Sequence, residues 1–230
     1  MKYLISVVIG MIVGIALFVL GLYYNPFVGN PSVSPLAMSD LDLVDLSYSL
    51  VPAESIVFAN DGESNVKPHP TKVLQLWEPT IKRTRGFVTT LTDSRGELVG
   101  LGVKFSSDSE ASALLDAEVL VDSVWHIYLP ERGTLFVDQT ENFWSYLHDI
   151  IVPARLSSGD NWRGSWHGIM SMGPGALGTA RVTGGAGDLM EGEAEAVESI
   201  TARAYSATIG PVGMTGNLTI AMPHQDQEPL

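Results

Sequence analysis

Glu193 and Glu195, two residues apart, have the spacing of a candidate acid–base pair. On an extended backbone, positions i and i+2 share a face. Two carboxylates side by side raise the pKa of one of them, which then keeps its proton near neutrality while its neighbour ionises. Glu198 falls on the other face of the same segment, and Arg181 lies on the preceding one. The competing reading of the glutamates is a solvated outer face, since Glu is seldom buried without a partner.

Histidine and tryptophan offer a second set. His167 sits in Ser165-Trp166-His167-Gly168 and His126 beside Trp125. Trp125, Trp162 and Trp166, with Arg181, are candidates to line a ligand-binding mouth, and His167 joins Glu193 and Glu195 as a catalytic candidate. Alternation puts Trp162 and Trp166 on one face and His167 on the other, so only one set can face a cavity. Core packing explains the tryptophans equally well. No H-x-H or H-E-x-x-H spacing occurs and the chain has no cysteine, so no metal and no cofactor is expected. A G-x-S-x-G elbow is missing as well, which disfavours a serine hydrolase.

The run Gly184-Gly185-Ala186-Gly187-Asp188 invites a phosphate-loop reading. A P-loop needs a following Lys, and a dinucleotide fingerprint needs a following helix. Neither is present, because the segment after Glu191 reads as a strand. A glycine turn between two strands is the expectation. In full the stretch is Val182-Thr183-Gly184-Gly185-Ala186-Gly187-Asp188-Leu189-Met190-Glu191-Gly192-Glu193-Ala194-Glu195. It resembles the V-x-G-G-T-G-x-F-x-G-A-x-G stretch of the dirigent and allene oxide cyclase families. Ala186 stands for the threonine, Leu189 for the aromatic, and Glu193 and Glu195 for the Ala and the Gly. The resemblance covers residues 161–222. It implies an eight-stranded barrel with an apolar cavity for a small hydrophobic molecule. No catalytic residue of those families maps onto a position here.

The elements that would position these groups are mostly strands. Leu41–Val51 alternates apolar and polar residues. Residues 86–105 form the clearest hairpin, around Asp93-Ser94-Arg95-Gly96 with glycine placed for positive φ. Val119–Leu129, Thr134–Asp138, Asn161–Met172, Gly178–Thr183, Glu193–Ala204 and Val212–Met222 continue the β pattern, and a further strand is expected at Lys72–Glu78. A short helix is expected within Ser106–Asp116. A second is expected over Thr140–Val152, with Phe143, Leu147, Ile150 and Ile151 on one face and Pro153 ending it. The fold class is therefore mainly β, an antiparallel barrel of about eight strands with one or two short helices and one N-terminal transmembrane helix.

That last helix is Leu4–Tyr23, uncharged and long enough at about 1.5 Å per residue to cross about 30 Å of hydrocarbon. Its length and the lack of a small-residue cleavage site mark it as a retained anchor. Tyr23, Tyr24 and Phe27 suit the headgroup region. Gly10 and Gly14 form a G-x-x-x-G, and with Gly21 they make a small-residue stripe for packing against other transmembrane helices or a second copy. Lys2 places the N-terminus in the cytoplasm and the domain in the periplasm of a bacterial inner membrane. The expected organisation is an anchor at 1–27, a linker at 28–40, the barrel at 41–222 and a frayed tail at 223–230.

A net charge of −13, from 26 acidic against 13 basic side chains, excludes nucleic acid as a partner. The lipid bilayer, through residues 4–23, is the expected one. Two functions fit these features. One is a tethered barrel that binds a small hydrophobic molecule, with cyclase or isomerase chemistry left open. The other is a non-enzymatic accessory subunit of a membrane complex. A barrel interior with an apolar cavity favours the first, and a plugged barrel with an exposed apolar face favours the second.

Overall fold

The alternating segments after residue 40 build a closed wall. The computed structural model describes residues 2–24, 41–51, 56–58, 84–130, 132–187, 189 and 194–223. The expected linker, the strand at 72–78, Glu193 and the tail at 224–230 lie outside these. Strands are β1 (Leu41–Ser49), β2 (Ile56–Phe58), β3 (Arg85–Thr92), β4 (Leu98–Asp108), β5 (Leu120–Leu129), β6 (Gly133–Asn142), β7 (Asn161–Ile169), β8 (Ser171–Gly173), β9 (Ala180–Gly187), β10 (Ala194–Ser206) and β11 (Gly210–Pro223).

Eight of them form the barrel, in the order β1-β11-β10-β9-β6-β5-β4-β3, closed by pairing of Ser47 with Thr92 between β1 and β3. Every recorded pairing is antiparallel, as short sequential connections favour. The long β10 pairs with β9 at its start and with β7 over its second half, while β8 pairs with β6. Leu46, Tyr48, Trp125, Ile127, Val137 and Leu218 belong to the core inside the wall.

The hairpin at 86–105 forms as expected. Gly96 takes φ +81°, and the Asp93 carboxylate accepts from the Arg95 and Glu97 N–H groups at 2.9 Å. Three local expectations are corrected. First, β4 runs through Asp108, and only a single 3-10 turn, Leu114–Asp116, stands in place of the helix at 106–116. Pairing of Ser106–Asp108 with Val121–Ser123 claims the residues that composition offered as a helix start.

Second, β6 claims Thr140–Asn142, and the helix covers 144–156 instead. We call this segment α2. It is α-helical at Trp144–Tyr146, widens to a π turn at Leu147–Ile151 and is α-helical again at Val152–Leu156. It thus passes Pro153, which sits in the first turn after the π turn, where its missing N–H costs least.

Third, Gly184–Gly187 belong to β9, with φ +73° at Gly187. A Cβ at Gly185 would stand 2.6 Å from the carbonyl oxygens of Thr134 and Leu189. The glycines therefore let β9 approach β6 closely, which is a packing role inside the wall.

The N-terminal helix α1 (Lys2–Tyr23) is 22 residues long. Val7, Met11 and Leu17 on it are 64–69% exposed. Among residues whose side chains are described, no helix is long and apolar enough to cross a membrane. The helical backbone is continuous from Lys2 to Tyr23.

Candidate functional site

Charged residues at inward positions of a barrel must find partners, because burying an unpaired charge costs several kcal/mol. Among the described residues there are three of them, and they meet. Along β10 the inward row is Ala194, Ala196, Glu198, Ile200 and Ala202, all buried. Glu198 is the lone ionisable group in that row. Lys104 of β4 sits opposite Trp125 of β5, and Glu141 of β6 opposite Val121. The Lys104 ammonium donates to Glu141 Oε1 at 2.8 Å and to Glu198 Oε1 and Oε2 at 2.8 and 2.9 Å. Both carboxylates are 1% exposed, while the lysine side chain keeps 12%.

A polar cage holds these groups in place. Trp125 Nε1 donates to Glu198 Oε2 at 3.0 Å, and the Tyr48 hydroxyl and the Gln139 amide also donate to Glu198. Ser123 donates to Glu141 Oε2 at 2.6 Å. Ser171 of β8 donates to Gln139 at 2.8 Å and accepts from the Glu198 backbone N–H at 2.8 Å. Lys104 Nζ also stands 5.3 Å from the Trp125 ring centroid, within cation–π range.

The two carboxyls are driven apart. Burial pushes the Glu198 pKa up, but Lys104, Tyr48 and Trp125 outweigh it and hold Glu198 below the usual carboxylate value. Burial and then the neighbouring Glu198 charge raise Glu141 to about 7, against the pull of Lys104 and Ser123. Burial also acts to lower the Lys104 pKa, yet the two glutamates more than reverse it and raise it. Burial, followed by Glu198, raises Tyr48 well above its ordinary value. At neutral pH the cluster therefore holds a fixed cation, a fixed anion and one carboxyl poised to gain or lose a proton. Two titratable groups pushed apart by their surroundings are the usual arrangement of an acid–base pair.

These groups floor a cavity of about 380 Å³ at the end of the barrel covered by α2. Phe87, Val121, Phe143, Tyr146, Leu147 and Ile200 are among its apolar walls, and Arg85 and Asp108, paired at 2.9 Å, stand at its rim. The opposite end has a larger depression, about 610 Å³, between the Asp93–Gly96 turn and residues 129–132. None of its charged side chains is buried, so it lacks the chemistry of the smaller cavity.

The residues singled out from the sequence are dispersed. Trp125 is fully buried inside the barrel and bonded to Glu198. Trp162 and Trp166 are half-buried against a separate cluster around Ile150 and Met170, and neither lines the cavity. His167 is exposed, with Nδ1 3.1 Å from the Thr201 hydroxyl. Arg181 is exposed on the outer face, in register with Glu195, which also points away from the interior. The face that carries a buried carboxylate is thus the one with Glu198. Among the described residues no three His, Asp or Glu side chains are grouped to hold a metal ion.

No family model matches the sequence, and no curated protein matches it. Among solved structures, the chain is similar to the pterocarpan synthase dirigent protein GePTS1. They share 12% identity at a TM-score of 0.38, over 87% of this chain and 99% of that one. It is similar to the Diels–Alderase AbmU from Streptomyces koyangensis, with 10% identity, a TM-score of 0.37 and coverage of 90% and 84%. A nonspecific heme-binding cyclase that catalyses a (4 + 2) cycloaddition in neoabyssomicin biosynthesis has 11% identity, a TM-score of 0.35 and coverage of 83% and 70%. The three are thus a dirigent protein, a Diels–Alderase and a cycloaddition cyclase. Likeness at this level carries no argument, and the barrel rests on its own strand pairing.

Proposed function

We propose that this chain is a bilayer-anchored barrel that binds a small apolar molecule in the cavity under α2 and isomerises or cyclises it. One observation carries the reading: an apolar cavity of ligand size ends on a buried Lys104–Glu141–Glu198 cluster in which one carboxyl is raised to about 7. Glu141 takes a proton from a carbon beside a carbonyl and returns it at another atom of the same molecule. Lys104 offsets the charge that develops on the carbonyl oxygen. The substrate is rearranged with no net gain or loss of electrons. Glu198 holds Lys104 in place and keeps it charged, so it is a positioning residue.

The anchor is part of the proposal. Its support is the 22-residue α1 with exposed apolar side chains, which water does not favour and lipid does. With Lys2 at its start, the barrel then lies on the periplasmic side of a bacterial inner membrane.

The accessory-subunit reading draws on a different surface. Leu101, Phe105, Val124, Tyr128 and Phe136 are 39–53% exposed on the outer wall of β4, β5 and β6. Such a face fits a protein neighbour. One experiment separates the two. The full chain is purified in mild detergent, and co-purifying small molecules and proteins are identified by mass spectrometry, for wild type and Val121→Trp. Our reading expects a stoichiometric small apolar molecule with wild type, lost in Val121→Trp while the β circular dichroism spectrum persists. A stoichiometric protein partner and no small molecule would contradict it.

A further inference from the structure

The C-terminal end of α1 is tied to the same helix that lines the cavity. The Tyr23 carbonyl stands 2.9 Å from His148 Nε2, and the two rings lie 4.2 Å apart at 31°. His148 Nδ1 is 2.6 Å from the Asp149 carboxylate, which also accepts from Trp166 Nε1 at 3.1 Å. A carbonyl and a carboxylate can only accept, so both contacts of His148 are hydrogen bonds when each ring nitrogen carries a proton. The Trp144 ring also lies near His148, with centroids 6.2 Å apart at 26°. The chain Tyr23–His148–Asp149–Trp166 therefore fastens the end of α1 to α2 and, through Trp166, to β7.

The neighbouring residues of α2, Tyr146, Leu147 and Ile151, form the cavity wall. The α2 wall of the cavity thus lies within about 10 Å, one helix diameter, of the point where α1 ends. Tyr23 and Tyr24 at that point pack edge to face at 4.9 Å, and Tyr24 is 70% exposed. Paired tyrosines at the end of an apolar helix mark the headgroup level of a bilayer.

We propose that this contact holds the mouth of the cavity against the membrane surface, and that the cavity is loaded from the bilayer with a lipid-soluble molecule that never crosses bulk water. The inference rests on the anchored, ligand-binding reading and adds its substrate class and route of entry. The charged rim of Arg85 and Asp108 suits the headgroup zone, while the apolar walls suit a molecule that leaves the acyl region. Attraction of the barrel by anionic lipid is not needed, and a net charge of −13 would oppose it. The hold is the contact at His148.

The two ends of β3 supply the test. Arg85 begins the strand at the mouth, and Ser94 lies just past its far end, at roughly 3.3 Å per residue along it. The chain has no cysteine, so Arg85→Cys and Ser94→Cys each give one labelling site. The labelled full chain is placed in phosphatidylcholine nanodiscs, with bimane as the label and a headgroup-level spin-labelled lipid as the quencher. Quenching should be several-fold stronger at position 85 than at 94, and His148→Ala should even out the two. Equal quenching at the two positions with His148 intact, or stronger quenching at 94, overturns the proposal. Recovery of the co-purifying small molecule from the same preparations is read in parallel. Equal quenching with the molecule retained refutes the orientation alone, whereas its absence refutes ligand binding itself.

Discussion

Lys104 is the residue on which the interior depends, because among the described residues it is the one cation facing two buried carboxylates. Removing one partner of such a group leaves an uncompensated charge, a loss of about 3–5 kcal/mol. Lys104→Met should therefore lower the unfolding midpoint sharply at pH 8. Glu141 gives this effect a pH dependence whose sign follows from its raised pKa. Its unfolded value is near 4.5 and its folded value about 7, so the folded state holds the extra proton between them. The stability it contributes is complete below about pH 4.5 and is lost as pH rises through 7. Glu198, held low, works the other way, contributing above pH 4.5 and failing as acid protonates it. Urea titrations of wild type and Glu141→Gln from pH 5 to 8 should thus show wild type losing stability and the variant holding level. Parallel curves would show that Glu141 is an ordinary carboxyl.

At the scale of elements, much was legible and the interior was not. The 86–105 hairpin was readable because alternation and a turn glycine agree, and the order of strands after Val119 followed from the same pattern. Alternation on β10 correctly separated Glu195 from Glu198, but period two cannot say which face is inside when Ala194 and Ala196 are as small as the outward positions are polar. Lys104, Gln139, Glu141 and Tyr48 had no local signature, since their partners lie between 18 and 150 residues away. The signal available was a charged or polar residue continuing an apolar period-two row: Glu198 after Ala194 and Ala196, and Gln139 and Glu141 after Leu135 and Val137. The helix 144–156 was shifted because strand pairing outbid the Thr140 cap.

Close approach also shapes the elements. On β11, Gly216 faces Tyr48 of β1, and the tyrosine ring occupies the space where a Cβ would stand. Gly216→Val should displace that ring from Glu198 and cost about 1–3 kcal/mol, as overpacking does. Thermal unfolding reads the loss. A Tyr48→Phe background should be just as sensitive, because the conflict is with the ring and not the hydroxyl. Unchanged stability in both would show that β1 and β11 are looser at this point than their register indicates.

On the scale of the whole molecule, the account joins three parts: a greasy helix, a barrel with a polar floor at one end, and a short helix that touches both. The wall closes the interior to water on the sides, the core around Trp125 and Ile127 fills the middle, and among the described residues the end under α2 is where space meets buried titratable groups. Photoaffinity labelling with a small apolar diazirine, read as cross-linked peptides in the full chain, tests this most directly. The account predicts labels on Tyr146, Leu147 and Ile200, abolished in Val121→Trp. Labels confined to the outer faces of β4, β5 and β6, unaffected by Val121→Trp, would contradict it.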